Sequence, residues 1–457
     1  MTEPAHGPSP RLRPRDRDAI ITSLRAGVVP RRGFAHIQVG RADEIAALGR
    51  DLDRVSGGGS MVKFVIGEYG AGKTFFLSLA ASMATEKRLV AASADLTPDR
   101  RLHGSGGQGR ALYAELMRNM ATRATPDGGA LAGVVERFIT TALATARERG
   151  SDTDAVIAER LADLSQMVGG YDFSHVIGRY WEAYDTGNDQ LKADAIRWLR
   201  GEFTTKTDAR NALGVRTIID DANFYDTLKL LGRFVRLAGF TGVIICFDEM
   251  VNLYKLANTP ARNSNYEQVL RIVNDCLQGH AGGLGIVFGG TPEFLIDTRR
   301  GLYSYDALRS RLAENNFAAD GLVDHNGPVL RLANLTPEDM YVLLTKLRHV
   351  YAGGDPSRYL VPDRALTAFM EHCARHVGDA YFRTPRTTIR EFLNLLAVLE
   401  QNLGLDWRVP LGKIELAPEA NRDLEPLPED ITNAPVTQAT SGPAAPTYDD
   451  DLSTFRL

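Results

Sequence analysis

This 457-residue sequence contains little cysteine and no long apolar run. Its three cysteines, Cys246, Cys276 and Cys373, are far apart and lack the spacing of metal ligands. This pattern excludes a disulfide-rich secreted domain and a zinc ribbon, and it favours a reducing compartment. No run approaches the about 18 apolar residues that a membrane span needs, and the first residues lack the apolar core of a signal peptide. We therefore expect a cytoplasmic protein with no membrane association.

An excess of positive charge is also absent. The chain has a net charge of -4, and 24% of its residues are charged. Overall charge therefore gives no indication of nucleic-acid binding, and any contact with double-stranded DNA would need a local basic patch. Such patches are short, as in RLRPRDR (residues 11–17) and PDRRLHGSGGQGR (residues 98–110). The hydrophobic fraction of 44% is sufficient for the cores of two or three domains.

The most informative motif is GEYGAGKT, residues 67–74, which matches the phosphate-loop pattern GxxxxGK[ST] at every fixed position. It follows an apolar strand, MVKFVI, and precedes a helical segment. Backbone N–H groups of such a loop, together with the positive end of the helix dipole, surround a phosphate group. Lys73 can bridge the β- and γ-phosphates, and the hydroxyl of Thr74 can coordinate Mg²⁺. The predicted nucleotide-binding residues here are Gly67, Glu68, Tyr69, Gly70, Ala71, Gly72, Lys73, Thr74 and Phe75.

A second motif, VIICFDEM, covers residues 243–250. Its apolar run predicts a strand that is buried on both faces of a parallel sheet. Asp248 and Glu249 follow at the edge where α/β sheets bind their ligands. Asp248 is therefore the predicted Mg²⁺-associated carboxylate, and Glu249 can orient and deprotonate an attacking water. The adjacent glutamate favours hydrolysis over binding alone.

A third apolar stretch, GIVFGGTPEF at residues 285–294, predicts another central strand beside the second motif. Thr291 at its end could hold the attacking water or sense the γ-phosphate, although a glycine turn before Pro292 explains the same residues equally well. Residues 104–109, GSGGQG, formally match GxGxxG. Because no strand directly precedes them, we expect a loop there and not a dinucleotide site.

The chain between the first two motifs, residues 75–242, is much longer than the roughly 60 residues that two βαβ units need. Residues from about 111 to 239 are helical in pattern almost throughout. A further helical region begins with Thr336 as a predicted N-cap, with Pro337 at the first helical position and Asp339 near the capping-box position. Residues 1–15 and 417–457 are rich in proline and show little periodicity, so we expect both to be disordered.

The strand, GEYGAGKT, helix, FDE, polar strand end and helical C-terminal region resemble, in this order, the AAA+ ATPases over about residues 33–403. The resemblance implies an α/β P-loop fold of the AAA+/ASCE type, with a nucleotide-binding domain at 16–335, a large helical insertion at about 111–239 and a C-terminal helical lid at 336–416. The stretch VGRADEIAAL looks like the segment that closes over adenine in the replication-initiator and STAND branches. That likeness places Val39 and Gly40 near the base.

The same resemblance implies two further roles for arginine. In AAA+ oligomers, an arginine after the polar strand end reaches the γ-phosphate bound by a neighbouring subunit, and YDALRSRL offers Arg309 and Arg311. These two positions do not share a helix face, and Leu308 and Leu312 would mark the buried face; a solvated helix surface is the alternative. Arg386 is the candidate for the lid arginine that contacts the γ-phosphate of its own subunit, with a surface charge as the alternative.

A narrower resemblance rests on IRWLRGE, LGV, GFTGVIICFDEM and FGGTPEF. These stretches look like the BrxD ATP-binding proteins of BREX-type bacteriophage defence systems, which often accompany a large helicase. The resemblance implies ATP hydrolysis with Mg²⁺, a multi-protein defence assembly and proximity to DNA. We therefore expect an oligomeric AAA+ ATPase that drives or licenses a DNA-acting partner. The alternative is a nucleotide-gated scaffold or STAND-like switch with slow turnover that assembles partner proteins.

Overall fold

The computed structural model describes residues 12–315, 317, 324–414 and 421. Of the segments expected to be disordered, residues 1–11 and nearly all of 417–457 lie outside these ranges. Helix α1 (Pro14–Arg25) begins inside the expected N-terminal segment, because Ile20 of this helix is fully buried against the C-terminal helices. Within the described ranges, no helix is both long enough and apolar enough to cross a membrane.

In the described part of the chain, five parallel strands form one sheet in the order β2-β3-β4-β1-β5. The strands are β1 (Met61–Gly67), β2 (Val90–Asp95), β3 (Val243–Asp248), β4 (Leu284–Gly290) and β5 (Val329–Leu332). Every residue of β1, β3 and β4 is buried, as their continuous apolar runs predict. The sequence did not predict β5, because this strand has only four residues and includes the exposed Arg331. The mixed α/β architecture is consistent with a P-loop fold.

Helices cover both faces of the sheet. Before β2 the helices are α1, α2 (Phe34–Ile37), α3 (Ala42–Ser56) and α4 (Lys73–Glu86). Between β2 and β3 they are α5 (Gln108–Arg118), α6 (Leu131–Arg149), α7 (Thr153–Ser165), α8 (Gly170–Thr186), α9 (Asp189–Leu199), α10 (Lys206–Leu213) and α11 (Phe224–Leu237). Between β3 and β5 they are α12 (Val251–Tyr254), α13 (Thr259–Leu277), α14 (Pro292–Ile296) and α15 (Asp306–Leu312).

The helices between β2 and β3 are not a separate body. Phe138 of α6 contacts Phe234 of α11, with 5.2 Å between ring centroids, and Phe64 and Phe288 stack across β1 and β4 at 4.8 Å. All four rings belong to one continuous core. These helices are therefore held to the sheet by shared apolar burial, which is the dominant favourable contribution to folding.

The C-terminal helices form a second hydrophobic core, separate from the core on the sheet, and residues from the N-terminus also pack into it. They are α16 (Pro337–Tyr351), α17 (Asp363–Val377), α18 (Ala380–Arg383), α19 (Pro385–Gln401) and α20 (Arg408–Leu411). The predicted capping box of α16 is confirmed, since Thr336 Oγ1 accepts from the N–H of Asp339 at 3.1 Å and the Asp339 side chain accepts from the N–H of Thr336. Ile20 and Ile37 pack into this core, so the two ends of the described chain meet beside the sheet.

The glycine-rich residues 104–109 run into the first residues of α5, with Gly107 as its N-cap, and do not form an open phosphate site. The carboxylate of Asp221 accepts hydrogen bonds from the N–H groups of Gly107 at 2.8 Å and Arg110 at 2.9 Å. These are the donors that a phosphate would need at this helix N-terminus. An acidic side chain of the same chain already uses them. Residues 104–107 form the expected loop, whereas Gln108 and Gly109 already belong to α5.

Candidate functional site

The phosphate loop joins β1 to α4 at the carboxyl edge of the sheet. Gly72 is the N-cap of α4 in a left-handed conformation, with φ of 82°, and Lys73 is the first residue of the helix. The ammonium of Lys73 donates to the carbonyl oxygens of Gly67 and Glu68, both at 3.0 Å. The helix N-terminus and this ammonium therefore direct positive charge toward one point, as phosphate binding requires.

The structure brings Thr74 and Asp248 together from distant parts of the sequence. Thr74 Oγ1 donates to Asp248 Oδ2 at 2.7 Å, and the N–H of Glu249 donates to Asp248 Oδ1 at 2.9 Å. Burial raises the pKa of Asp248, while the hydrogen bonds from Thr74 and Glu249 act in the opposite direction. A hydroxyl and a carboxylate beside a phosphate loop are the protein ligands that Mg²⁺ takes at nucleotide sites. The donor set therefore fits Mg²⁺.

Glu249 stands next to this pair in an unusual backbone conformation. Its φ is 58°, which is the left-handed region, and this region costs an L-residue roughly 1–2 kcal/mol. Such strain persists where surrounding structure fixes the residue, commonly at functional sites. The side chain is exposed and lines the same cavity as Lys73 and Thr74.

A cavity of about 450 Å³ opens beside the phosphate loop, a size typical of ligand pockets. One end is polar and contains Lys73, Thr74, Asp248 and Glu249. The other end is mostly apolar and is formed by residues from the N-terminus and the C-terminal helices; it includes Val28, Val29, Ile37, Val39, Leu335, Leu343, Pro385 and Ile389. A polar end for phosphates and an apolar end for a base are the two parts that a nucleotide needs.

The predicted base and lid residues take different positions around this cavity. Val39, Phe75 and Arg386 line it. Gly40 instead faces α16, where a Cβ on this glycine would lie 3.4 Å from Asp339 Oδ1. Within the loop, Tyr69, Gly70, Ala71 and Gly72 also line the cavity, whereas Gly67 and Glu68 form its support behind the Lys73 ammonium.

Thr291 lies outside the residues that line the cavity. It is buried and serves as the N-cap of α14, where its hydroxyl oxygen accepts from the N–H of Phe294 at 3.3 Å. Its strand, β4, lies directly beside β3, as expected. In β4 it is Gly289 that lies against the Asp248 carboxylate, because a Cβ on this glycine would be 2.6 Å from Asp248 Oδ1. The room for Asp248 thus depends on a glycine in the neighbouring strand.

Arg309 and Arg311 are exposed on α15 and do not line the cavity of their own chain. Leu308 and Leu312 are fully buried, as the pattern predicts. The two arginines differ in their contacts. Arg311 Nε donates to Asn274 Oδ1 at 2.5 Å and its Nη1 donates to the carbonyl of Ala307 at 2.8 Å. The backbone N–H of Arg309 donates to the carbonyl of Tyr305, but no hydrogen bond or ion pair joins its guanidinium to another described residue.

Sequence reasoning missed two charged residues of the site. Asp95 ends β2, pairs in register with Asp248 and lines the cavity; burial raises its pKa, and the nearby Arg100 acts in the opposite direction. An acidic residue at the end of the predicted strand was the available signal. Arg41 also lines the cavity, directly after Val39 and Gly40, and its Nη2 donates to the carbonyls of Ala71 and Ala333. Burial lowers the pKa of Arg41.

Comparison with known proteins identifies the family. A model of the family described as BREX system ATP-binding protein BrxC/D matches residues 12–415. The chain belongs to this family, which confirms the narrower of the two resemblances and implies nucleotide binding in BREX phage defence. No curated protein gives a match to the chain.

Proposed function

We propose that this BREX ATP-binding protein hydrolyses ATP with Mg²⁺ in the manner of an AAA+ ATPase, and that the cycle drives or licenses a DNA-acting partner. One observation carries the proposal: Thr74, Asp248 and Glu249 meet beside the phosphate loop, with Thr74 Oγ1 at 2.7 Å from Asp248 Oδ2. Nucleotide binding alone gives no chemical reason for a strained, exposed glutamate at this point. Hydrolysis gives one, because it needs a base for the attacking water.

In this proposal, the backbone N–H groups of residues 70–74 and the ammonium of Lys73 hold the β- and γ-phosphates. Thr74 and Asp248 hold Mg²⁺, which supplies charge neutralisation to the phosphoryl group when bound. Glu249 orients the attacking water and accepts its proton. Asp95 adds a second negative charge at the same sheet edge and keeps the metal side of the site acidic. The Thr291 hydroxyl accepts a hydrogen bond from Phe294 and still has its own proton to donate toward the γ-phosphate. Its sensor role stays a prediction.

The apolar end of the cavity is the proposed adenine site. Val39 comes from the N-terminal side, while Arg386 and Pro385 come from the C-terminal side. A base in this position would contact both, and closing of the proposed lid at 336–416 would bring Arg386 toward the γ-phosphate. The proposed insertion at about 111–239 and the sheet of the nucleotide-binding domain at 16–335 would then move relative to this lid as one body, since they share a core. Ile20 and Ile37 would stay with the lid, because they pack into its core.

Homo-oligomer formation belongs to the same proposal, and Arg309 is our candidate for the arginine that acts on the neighbouring nucleotide. Arg311 is engaged within its own subunit by Asn274, whereas Arg309 is exposed and uncommitted among the described residues. A trans-acting arginine of this kind contributes about 10³–10⁵ in rate where it has been measured. Double-stranded DNA and a helicase or other BREX protein are the proposed partners.

The first test is the pair Glu249→Gln and Glu293→Gln. Glu249→Gln should bind ATP with Mg²⁺ and lose at least about 10²-fold in turnover, as expected for loss of a general base. Glu293→Gln, an exposed glutamate on α14, is the matched control and should hydrolyse ATP normally. Unchanged turnover in Glu249→Gln would refute the assignment of Glu249 as the base. Loss of turnover in Glu249→Gln with full function retained in phage challenge would favour the nucleotide-gated scaffold.

The second test separates the two arginines. Turnover per subunit should rise with protein concentration, and Arg309→Ala should remove that rise while Arg311→Ala retains more of it. Equal loss in both variants would refute the assignment to Arg309, and no loss in either would refute the oligomeric mechanism. For DNA, duplex affinity is measured against salt with ATP and Mg²⁺; no binding at low salt would refute direct contact.

A further inference from the structure

The short connector between β5 and α16 is joined to the phosphate loop by one direct hydrogen bond and by one bridge through Arg41. Asn334 Nδ2 donates to Glu68 Oε2 at 2.6 Å. Arg41 Nη2 donates to the carbonyl of Ala333 at 3.1 Å and also to the carbonyl of Ala71 in the loop. The connector leads directly into Thr336, the N-cap of α16. The loop and the first turn of the C-terminal helices are therefore connected through these contacts.

Glu68 is the residue through which a phosphate could act on this connection. The Lys73 ammonium donates to the carbonyl oxygen of Glu68 at 3.0 Å, while the Glu68 carboxylate accepts from Asn334. Bound phosphate oxygens would compete with the Glu68 carbonyl oxygen for hydrogen bonds from the same ammonium. Phosphate binding would therefore act directly on the backbone of Glu68. Its side chain then carries that change to Asn334.

The assignment of donor and acceptor in this contact is fixed by chemistry. A carboxylate can only accept at neutral pH, so the Asn334 amide must present its N–H₂ group to Glu68. The Asn334 Oδ1 atom is buried and has no partner among the described residues. The amide is consequently anchored on the Glu68 side alone, and its position depends on that carboxylate.

The segment that contains Arg41 lies against the same helices. Lys346 of α16 donates to the carbonyl of Gln38, and Gly40 approaches Asp339. Arg41 itself adopts a left-handed conformation with φ of 62° as the N-cap of α3. These contacts hold residues 38–41 between the phosphate loop and α16, which places the Arg41 guanidinium where it can join the two.

We propose that Glu68, Asn334 and Arg41 are positioning residues that couple occupancy of the phosphate loop to the position of the C-terminal helices. Glu68 and Asn334 form the variable contact, and Arg41 holds the loop and the connector at a fixed separation. The inference rests on the proposed nucleotide binding and adds the route by which the bound state reaches α16. None of the three is needed as an acid, a base or a metal ligand in that route.

Amide hydrogen exchange in α16 and α19 tests the coupling, with full-length protein and a saturating non-hydrolysable ATP analogue plus Mg²⁺ for each variant. In the unaltered protein we expect the analogue to slow exchange by about tenfold, within the usual range of allosteric coupling. Asn334→Asp places two carboxylates face to face and should reduce the slowing to less than about threefold. Asn211→Asp, on an exposed position of α10, is the matched control and should retain the full effect.

A double variant keeps the experiment specific. Asn334→Asp combined with Glu68→Gln restores one donor and one acceptor with their polarity reversed, so it should recover the slowing that Asn334→Asp loses. Persistence of full slowing in Asn334→Asp, or failure of the double variant to recover it, would overturn the coupling while leaving nucleotide binding intact. Absence of analogue binding by the unaltered protein would overturn the coupling together with the proposed function.

Discussion

Gly70 of the phosphate loop is a position where one added methyl group should have a large effect on this structure. Its φ is 83°, and a Cβ built on it would lie 2.3 Å from the backbone oxygen of Arg383 and 2.9 Å from the Cα of Thr384. The loop therefore touches the junction of α18 and α19 with no room for a side chain. Gly70→Ala should both strain the loop and push these helices away.

Gly72 provides the matched comparison. Its φ of 82° is nearly the same, but the nearest atom to an added Cβ is Arg41 Nη2 at 3.8 Å. Gly72→Ala should cost only the left-handed strain, roughly 1–2 kcal/mol. Gly70→Ala should cost that amount plus about 1–3 kcal/mol for the overlap with backbone atoms. The difference between the two variants isolates the contact between the loop and the C-terminal helices.

Two measurements on nucleotide-free protein check this prediction. Thermal unfolding should show a larger decrease of Tm for Gly70→Ala, at about 2–4 °C per kcal/mol for a domain of 150–250 residues. Trypsin should cut faster after Arg383 in Gly70→Ala, because separating the helices from the loop is the cheapest relief of the overlap. Equal Tm shifts and equal cleavage rates in the two variants would refute the reasoning.

Three further predictions concern single side chains. Burial raises the pKa of Asp248, so its charge destabilises the nucleotide-free fold as pH rises above about 4; Asp248→Asn should raise Tm at pH 8, and the gain should shrink toward pH 4. Asp221→Ala removes the acceptor for two N–H groups at the start of α5 and should cost about 1–2 kcal/mol, measured by thermal unfolding. Burial raises the pKa values of the thiols of Cys246, Cys276 and Cys373 to about 12. Native protein should therefore resist alkylation by iodoacetamide at pH 8, whereas unfolded protein should react.

Each of these predictions has its own control and contrary result. A lower Tm for Asp248→Asn at pH 8 would mean that its hydrogen bonds outweigh the cost of the buried charge. Glu202→Ala, at an exposed carboxylate beyond α9, should leave Tm nearly unchanged, and an equal loss there would contradict the capping role of Asp221. Rapid alkylation of the native chain would show that at least one thiol opens to solvent.

The sequence determined the chemistry of the phosphate loop because that chemistry is local. The spacing of Gly67, Gly72, Lys73 and Thr74 fixes a loop and a helix start within eight residues, and no distant contact is needed to recognise it. The apolar runs before Asp248 and Thr291 likewise determined buried strands, since a short run that is apolar at every position and ends in turn residues is typical of a strand covered on both faces.

Tertiary structure decided which of these groups meet. Thr74 and Asp248 come into contact because β4 pairs with both β1 and β3 and so fixes their register relative to each other. This register depends on pairings between strands that are far apart in sequence. Asp95 joins them only because β2 ends in line with β3. The sequence did not predict β5, yet the connector from β5 to α16 contacts the phosphate loop through Asn334 and Glu68.

The difference between Arg309 and Arg311 shows the same limit most clearly. Both are exposed, both follow the same motif, and their spacing predicts only that they point in different directions. Asn274 of α13 binds one of them and leaves the other uncommitted, and the neighbour that decides this comes from a different helix. Local sequence sets which side chains a segment offers, whereas packing between distant segments sets which of them are free to act.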